Sequence, residues 1–217
     1  MNINVLNKQN SILNNFINEI RDKNIQKDSL RFRTNIERIG QVMAVELSKT
    51  LAYTTREVQT PLGVAPVNIT DEKIVVASIL RAGLPLHNGF LSFFDHAENA
   101  FVSAYRKYID VVNFDIHVEY ISAPDIMGKT LIICDPMLAT GGSMELSYKA
   151  LLSHGAPAKL HIASIIASQQ AIDFLQKSLP ADTTIWVAAI DETLNDHAYI
   201  VPGIGDAGDL AFGEKID

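Results

Sequence analysis

With 217 residues, 47% of them hydrophobic, the chain is long enough for one substantial core and too short for two full domains, so a single domain over 1–217 is expected. A net charge of -7 disfavours a broad basic face for nucleic acid or anionic lipid, though small anions can still bind locally. One cysteine, Cys134, excludes an intramolecular disulfide and a multi-cysteine zinc site; with no basic-then-apolar leader and no run near the roughly 20 apolar residues of a membrane span, a cytoplasmic protein is expected.

Ile12, Leu13, Phe16, Ile17 and Ile20 recur at helical spacing behind Ser11, and Ile36, Ile39, Val42, Met43 and Leu47 do so further on, which predicts N-terminal helices over about 11–50. The pattern then changes. The runs 74–80 and 130–134 are short and almost wholly apolar, as strands buried on both faces are, and each leads into glycine and a helix-compatible stretch. Between them, Val112, Phe114, Ile116, Val118 and Tyr120 alternate with polar residues, predicting a half-exposed strand in an antiparallel hairpin. Strand character returns at 160–167 and 184–189 around a helical 169–179, so the fold class is α/β, with a parallel sheet flanked by helices in a core over about 70–190. The C-terminal part, about 191–217, includes Tyr199 to Asp209 with three glycines and a proline, and is expected to be a long functional loop without regular structure.

Two strand ends carry the chemistry. The strand 130–134 runs into Asp135-Pro136-Met137-Leu138-Ala139-Thr140-Gly141-Gly142-Ser143 and then a helix from Glu145. Gly141 and Gly142 let backbone N–H groups turn toward one anion, Thr140 and Ser143 add hydroxyl donors, and the helix directs its positive dipole end there. Asp135, at the carboxyl end of a parallel strand, is placed to accept from two vicinal sugar hydroxyls. The glycine-rich piece alone also fits an ordinary turn. Arg81, ending the earlier strand, suits a pyrophosphate through its planar fork, but equally a loop-capping surface arginine; Arg106, beside Lys107, has the same two readings.

Ile79 to Leu84, the unbroken 135–143 segment, and Tyr199 to Asp209 with Phe212-Gly213 together resemble uracil phosphoribosyltransferases in order and spacing, and weaker similarity runs from Arg31-Phe32-Arg33 to the C-terminus. Asp135-Pro136, where most other phosphoribosyltransferases carry two acids, is itself a mark of the uracil enzymes. The resemblance implies a type I phosphoribosyltransferase fold with a C-terminal hood over the base, and transfer of uracil to 5-phosphoribosyl-1-pyrophosphate (PRPP) to give UMP and pyrophosphate in pyrimidine salvage. It implies a catalytic set of Arg81, Arg106 and Asp135, with the arginines on the pyrophosphate and Asp135 on the ribose hydroxyls. Within a PRPP loop that includes Pro136, Met137 and Leu138, Ala139 to Ser143 would wrap the 5′-phosphate. Ile200, Gly205, Asp206 and Ala207 match the uracil-binding positions, with Asp206 also facing PRPP. Mg²⁺ held mainly by PRPP oxygens and a homo-oligomer, dimer or larger, are implied as well. Pro85, Asn88, Leu210 and Glu214 depart from the family pattern, none at a transferred ligand position. From another class, a regulator of this fold binding pyrimidine-operon RNA is disfavoured by the acidic balance.

Other conspicuous residues have plain structural readings. Cys134 reads as a buried hydrophobe, and His87, His96, His117, His154 and His161 show no ligand spacing. His197 is close to the base loop in sequence only. Asp191 and Glu192, adjacent in an extended segment, point to opposite faces and do not form an acid–base pair.

Overall fold

The computed structural model describes the backbone of residues 1–108 and 114–214, and the side chains of 1–103 and 120–214. In chain order the elements are β1 (Asn2–Val5), α1 (Leu13–Arg21), α2 (Ser29–Ser48), β2 (Thr54–Thr60), β3 (Gly63–Ile69), β4 (Ile74–Ile79), α3 (Leu84–Leu91), β5 (Glu98–Tyr108) and β6 (Phe114–Ser122). They continue with β7 (Thr130–Cys134), β8 (Met137–Leu138), α4 (Gly142–Leu151), β9 (Lys159–Ser168), α5 (Gln169–Ser178), β10 (Thr184–Asp191), β11 (Thr193–Leu194), β12 (Ile200–Val201) and α6 (Ala207–Phe212).

The main sheet has the order β1-β10-β9-β7-β4-β5-β6, with β8 added alongside β9; β5 and β6 are antiparallel and all other neighbours are parallel. Every residue of β4 and β7 is buried, as the continuous apolar runs require of a sheet covered on both faces. Side-chain alternation then divides the core. Ile74, Val76, Ile132 and Cys134 join one cluster with Ile17, Ile36, Met43 and Phe90 of α1, α2 and α3, whereas Val75, Ala77, Leu131 and Ile133 join a second with Met144, Leu151, Ile172 and Leu175 of α4 and α5. Among the described residues, no helix is long and apolar enough to cross a membrane.

Helix α2 starts where Asp28 accepts the Arg31 N–H at 3.1 Å, and its inward stripe runs from Phe32 to Leu47. It crosses α3 at two glycines. A Cβ on Gly89 would lie 2.3 Å from the Glu37 carbonyl oxygen, and one on Gly40 2.7 Å from that of Leu86, so the crossing depends on bare backbone.

Both N-terminal helices, the four apolar strands and the pairing of β5 with β6 match the expectation at backbone level; of the alternating strand, Val112 lies outside the described residues, as do the side chains up to position 119. The long C-terminal loop is a correction. It contains β12, paired antiparallel with β11, and α6, capped by Asp206 through the Asp209 N–H at 3.0 Å. Its glycines mark bends between short elements rather than an absence of structure. The hairpin β2–β3 and the edge strand β1 have no counterpart in the predicted elements. The hairpin turns at Pro61-Leu62 without an Asn-Gly type signal, and β1 is only four residues long.

Gly89→Ala is expected to lower stability by about 1–3 kcal/mol through overpacking at the α2–α3 crossing. Gly63→Ala, where a Cβ meets nothing within 4 Å, should stay within roughly 0.5 kcal/mol of the parent. Chemical denaturation of both variants checks the difference.

Candidate active site at the carboxyl edge of the sheet

Parallel pairing of Ser78 with Cys134, and of Cys134 with Ala163, ends β4 and β7 at the same edge. The segments that follow, carrying Arg81 and Asp135, are therefore neighbours although 54 positions apart. Gly83 permits the approach, since a Cβ there would be 2.5 Å from the Cys134 carbonyl oxygen. With the C-terminal segment as a third wall, they enclose a cavity of about 310 Å³. Leu80, Arg81, Asp135, Met137, Ala139 and Ser143 line it from the sheet, and Ile200, Gly205, Asp206 and Ala207 from the C-terminal side.

The 135–143 loop is held by its backbone. Asp135 N–H donates to Ala163, the Pro136 carbonyl accepts from both Ile165 and Ile166, and β8 runs beside β9. Pro136 and Leu138 are buried and do not line the cavity. Ser168, unremarked in the sequence, has two tasks: its hydroxyl donates to the Ala139 carbonyl at 2.6 Å and caps α5 by accepting the Ala171 N–H at 2.9 Å. Gly141, with φ of 81°, sits against α5, where a Cβ would be 2.9 Å from a Phe174 ring carbon. Gly142 then opens α4, its N–H bonded to the exposed Thr140 hydroxyl at 3.4 Å, and Ser143 faces the cavity. The predicted sequence of strand, glycine turn and helix N-terminus is present.

Asp135 is half-buried on the cavity wall. Loss of hydration pushes its pKa up; a long bond from the Met137 N–H, 3.5 Å, opposes this, and the negative charge of Asp206 adds to it, leaving a value of about 7. Arg81 donates to the Gly213 carbonyl at 3.0 Å and stands 3.6 Å from Asp209, a residue missing from the predicted site. Its buried Nε has no hydrogen-bond partner among the described residues. The side chain of Arg106, in β5, lies outside the described residues.

On the C-terminal side, Ile200 is buried, Gly205 has φ of 82°, and Asp206 both caps α6 and lines the cavity. Ala198 and Tyr199 line it too, Ala198 without any sequence signal and Tyr199 as the first residue of the C-terminal segment. They belong to a turn in which the Asn195 carboxamide oxygen accepts the His197 and Tyr199 N–H groups. His197 itself is exposed and does not line the cavity. Cys134 is buried, with its thiol pushed well up by loss of hydration and then by Asp135. Buried His161 accepts from the Trp186 indole N–H at 3.2 Å, and burial lowers its pKa to about 4. Asp191 and Glu192 do part company: Asp191 is buried against Arg21, and Glu192 is exposed. Among the described residues, no group of three His, Cys, Asp or Glu could hold a metal.

A carboxyl whose pKa is raised from 3.8 to about 7 binds more proton folded than unfolded between those values, so its contribution to stability falls as pH rises across that window. Asp135→Asn, measured without substrates, should therefore raise the melting temperature at pH 8 by roughly 5 °C and change it little below pH 4. Thermal melts of the two proteins at both pH values check this; an equal difference at both would place the cost elsewhere.

A family model for uracil phosphoribosyltransferase matches residues 7–214. The chain is 63% identical over 211 residues to the uracil phosphoribosyltransferase of Porphyromonas gingivalis, covering 97% of this chain and 98% of that one. It is 42% identical over 192 residues to that of Methanothermobacter thermautotrophicus, with 88% and 87% covered. Among solved structures, a protein from Aquifex aeolicus superimposes with a TM-score of 0.84 at 29% identity, over 99% of this chain and all of that one. A hypoxanthine phosphoribosyltransferase from Staphylococcus aureus gives 0.50 at 14% identity over 73% and 74%, a likeness of fold alone. This mostly parallel, helix-flanked sheet has the type I phosphoribosyltransferase fold, and the chain belongs to the uracil phosphoribosyltransferase family.

Proposed function

We propose that the chain transfers the phosphoribosyl group of PRPP to uracil, giving UMP and pyrophosphate in pyrimidine salvage. The observation that carries this reading is that one cavity is shared by Asp135 and Ser143 of the phosphate-type loop and by Ile200 and Gly205 to Ala207 of the C-terminal segment. In this reading the N–H groups opening α4, with Thr140 and Ser143, receive the 5′-phosphate, and Asp135 accepts from the ribose hydroxyls. Arg81, with Arg106, takes the pyrophosphate as it leaves; its unpartnered Nε and its single carbonyl bond leave donors for a phosphate. The facing carboxylates of Asp135 and Asp206, one of them resisting ionisation, fit a site that receives a cation with its substrate. Mg²⁺ bound through PRPP oxygens, with Asp135 nearby, would neutralise charge on the leaving group.

Uracil presents acceptors at O2 and O4 and a donor at N3. Backbone of the C-terminal segment is proposed to read them, and a base with those groups reversed strands buried backbone. Gly205 suits close approach: a Cβ there would find only the Leu210 side chain, at 3.9 Å, and its φ of 82° is costly for other residues. We further propose a cytoplasmic homo-oligomer. The β2–β3 hairpin supports association: nearly every residue is exposed, including Val58, Val64, Val67 and the fully exposed Leu62, and a two-stranded hairpin is marginal in water by itself.

Pyrophosphate release with PRPP, Mg²⁺ and each of uracil, cytosine, hypoxanthine and adenine tests the function. Turnover is expected with uracil, at a kcat/KM about 10⁴-fold or more above that with cytosine; cytosine within tenfold of uracil would overturn the assignment. Arg81→Ala should reduce turnover by two orders of magnitude or so while changing UMP affinity much less, because UMP lacks the pyrophosphate. Parallel kinetics and UMP titration separate these effects.

A further inference from the structure

We propose that Arg21 and Asp191 are positioning residues for base recognition, acting as a charged clamp on the backbone of Gly203. The proposal rests on the reading of the C-terminal segment as the base-binding wall. Arg21 ends α1 and Asp191 ends β10. One guanidinium nitrogen, Nη1, donates to Asp191 Oδ2 at 2.8 Å and to the Gly203 carbonyl at 3.0 Å, while Nη2 donates to Asp191 Oδ1 at 2.8 Å. The same Asp191 Oδ2 accepts the Gly203 N–H at 2.9 Å. Both peptide groups flanking one α-carbon are therefore held by a single ion pair, which fixes the direction of the chain on either side.

The pair is well placed to hold that direction. Asp191 is 7% exposed and the Arg21 side chain 24%, so the attraction is less screened than at the surface, and the bidentate fork admits little rotation. Gly203 has φ of 56°, and a Cβ on it would fall 2.1 Å from the Ile200 carbonyl oxygen: the turn closes tightly on Ile200, a base-side residue. Gln26 adds a tie, its amide donating to the carbonyls of Ile20 at 2.8 Å and Ile204 at 3.3 Å. Arg33 secures the far end through the Ala211 carbonyl at 2.6 Å, with its guanidinium 5.9 Å from the centre of the Phe212 ring. The segment is thus anchored at 203, 204 and 211. Between the anchors lie Gly205 to Ala207, which line the cavity, as neither Arg21 nor Asp191 does. Any effect of the pair on the base must pass through the backbone it holds.

The test uses Asp191→Asn, Arg21→Lys and the double variant in the full chain, with each substrate varied at saturating concentrations of the other, and hydrogen exchange over residues 199–206. Asp191→Asn is expected to raise KM for uracil about tenfold, the scale of one charge-assisted hydrogen bond, and to leave KM for PRPP within about twofold. Exchange at Gly203 should accelerate while β4 and β7 stay protected, and the double variant should be no worse than the worse single one, because the residues act as a unit. Arg21→Lys keeps the charge and loses the fork, so it should show the same split more weakly, and it carries the test if Asp191→Asn does not fold. Equal rises in both KM values, or no change in either, would overturn the clamp. Gly205→Val, run alongside, separates the two readings. If it impairs uracil use and the clamp variants do not, base recognition by this segment stands and the clamp falls; if it leaves uracil use intact, base recognition by the segment falls, and the clamp with it.

Discussion

Burial of β4 and β7 on both faces is the constraint on which the arrangement depends. Their backbone groups must pair within the sheet and their side chains fill the two cores, so polar chemistry is confined to the residues beyond the strand ends. Parallel pairing puts those ends on one edge, and the polar residues that leave it, Arg81 and Asp135, become neighbours. The glycines at 83 and 141 follow from the same packing. One lets the turn after β4 pass the Cys134 carbonyl, and the other brings the start of α4 against α5. A bulkier residue at either position would displace a wall of the cavity rather than merely loosen a loop.

The electrostatics of the site follow from its location. At the rim of a covered sheet Asp135 loses hydration and faces Asp206, so its ionised form is disfavoured, whereas Arg81 is partly neutralised by Asp209 and the Gly213 carbonyl. In the reaction proposed above, an anionic substrate arriving with a cation would relieve the first condition and compete with the second. Such a site lowers the stability of the folded chain in return for groups already set in place for charge development, a trade common at catalytic centres.

The N-terminal helices and the turn between them do more than cover one face of the sheet. Arg21, Gln26 and Arg33 each bond a carbonyl of the C-terminal segment, at Gly203, Ile204 and Ala211. The first helix carries none of the motifs singled out in the sequence, although the family model spans it, and through Arg21 it reaches the wall proposed to read the base. The beginning and the end of the chain are joined across the end of β10, and the proposed base site inherits its geometry from that junction.

Much of this was legible in residue order because its causes are local. Continuous apolar runs specify doubly covered strands, helical spacing specifies α1 and α2, and a strand followed by Asp135, two glycines and a helix is the pattern of a phosphate-type loop. The remainder required the tertiary structure. Asp209 beside Arg81, Ser168 under Ala139, and Arg21 on Asp191 are encounters between distant positions that no periodicity encodes. The β2–β3 hairpin has little core to leave an apolar pattern, and α6, six residues long, is set by its Asp206 cap and its packing against α2 rather than by propensity. Asp135 shows the division within one residue: its type and its place after a strand were written in the sequence, but the desolvation and the facing charge that change its protonation came only from folding.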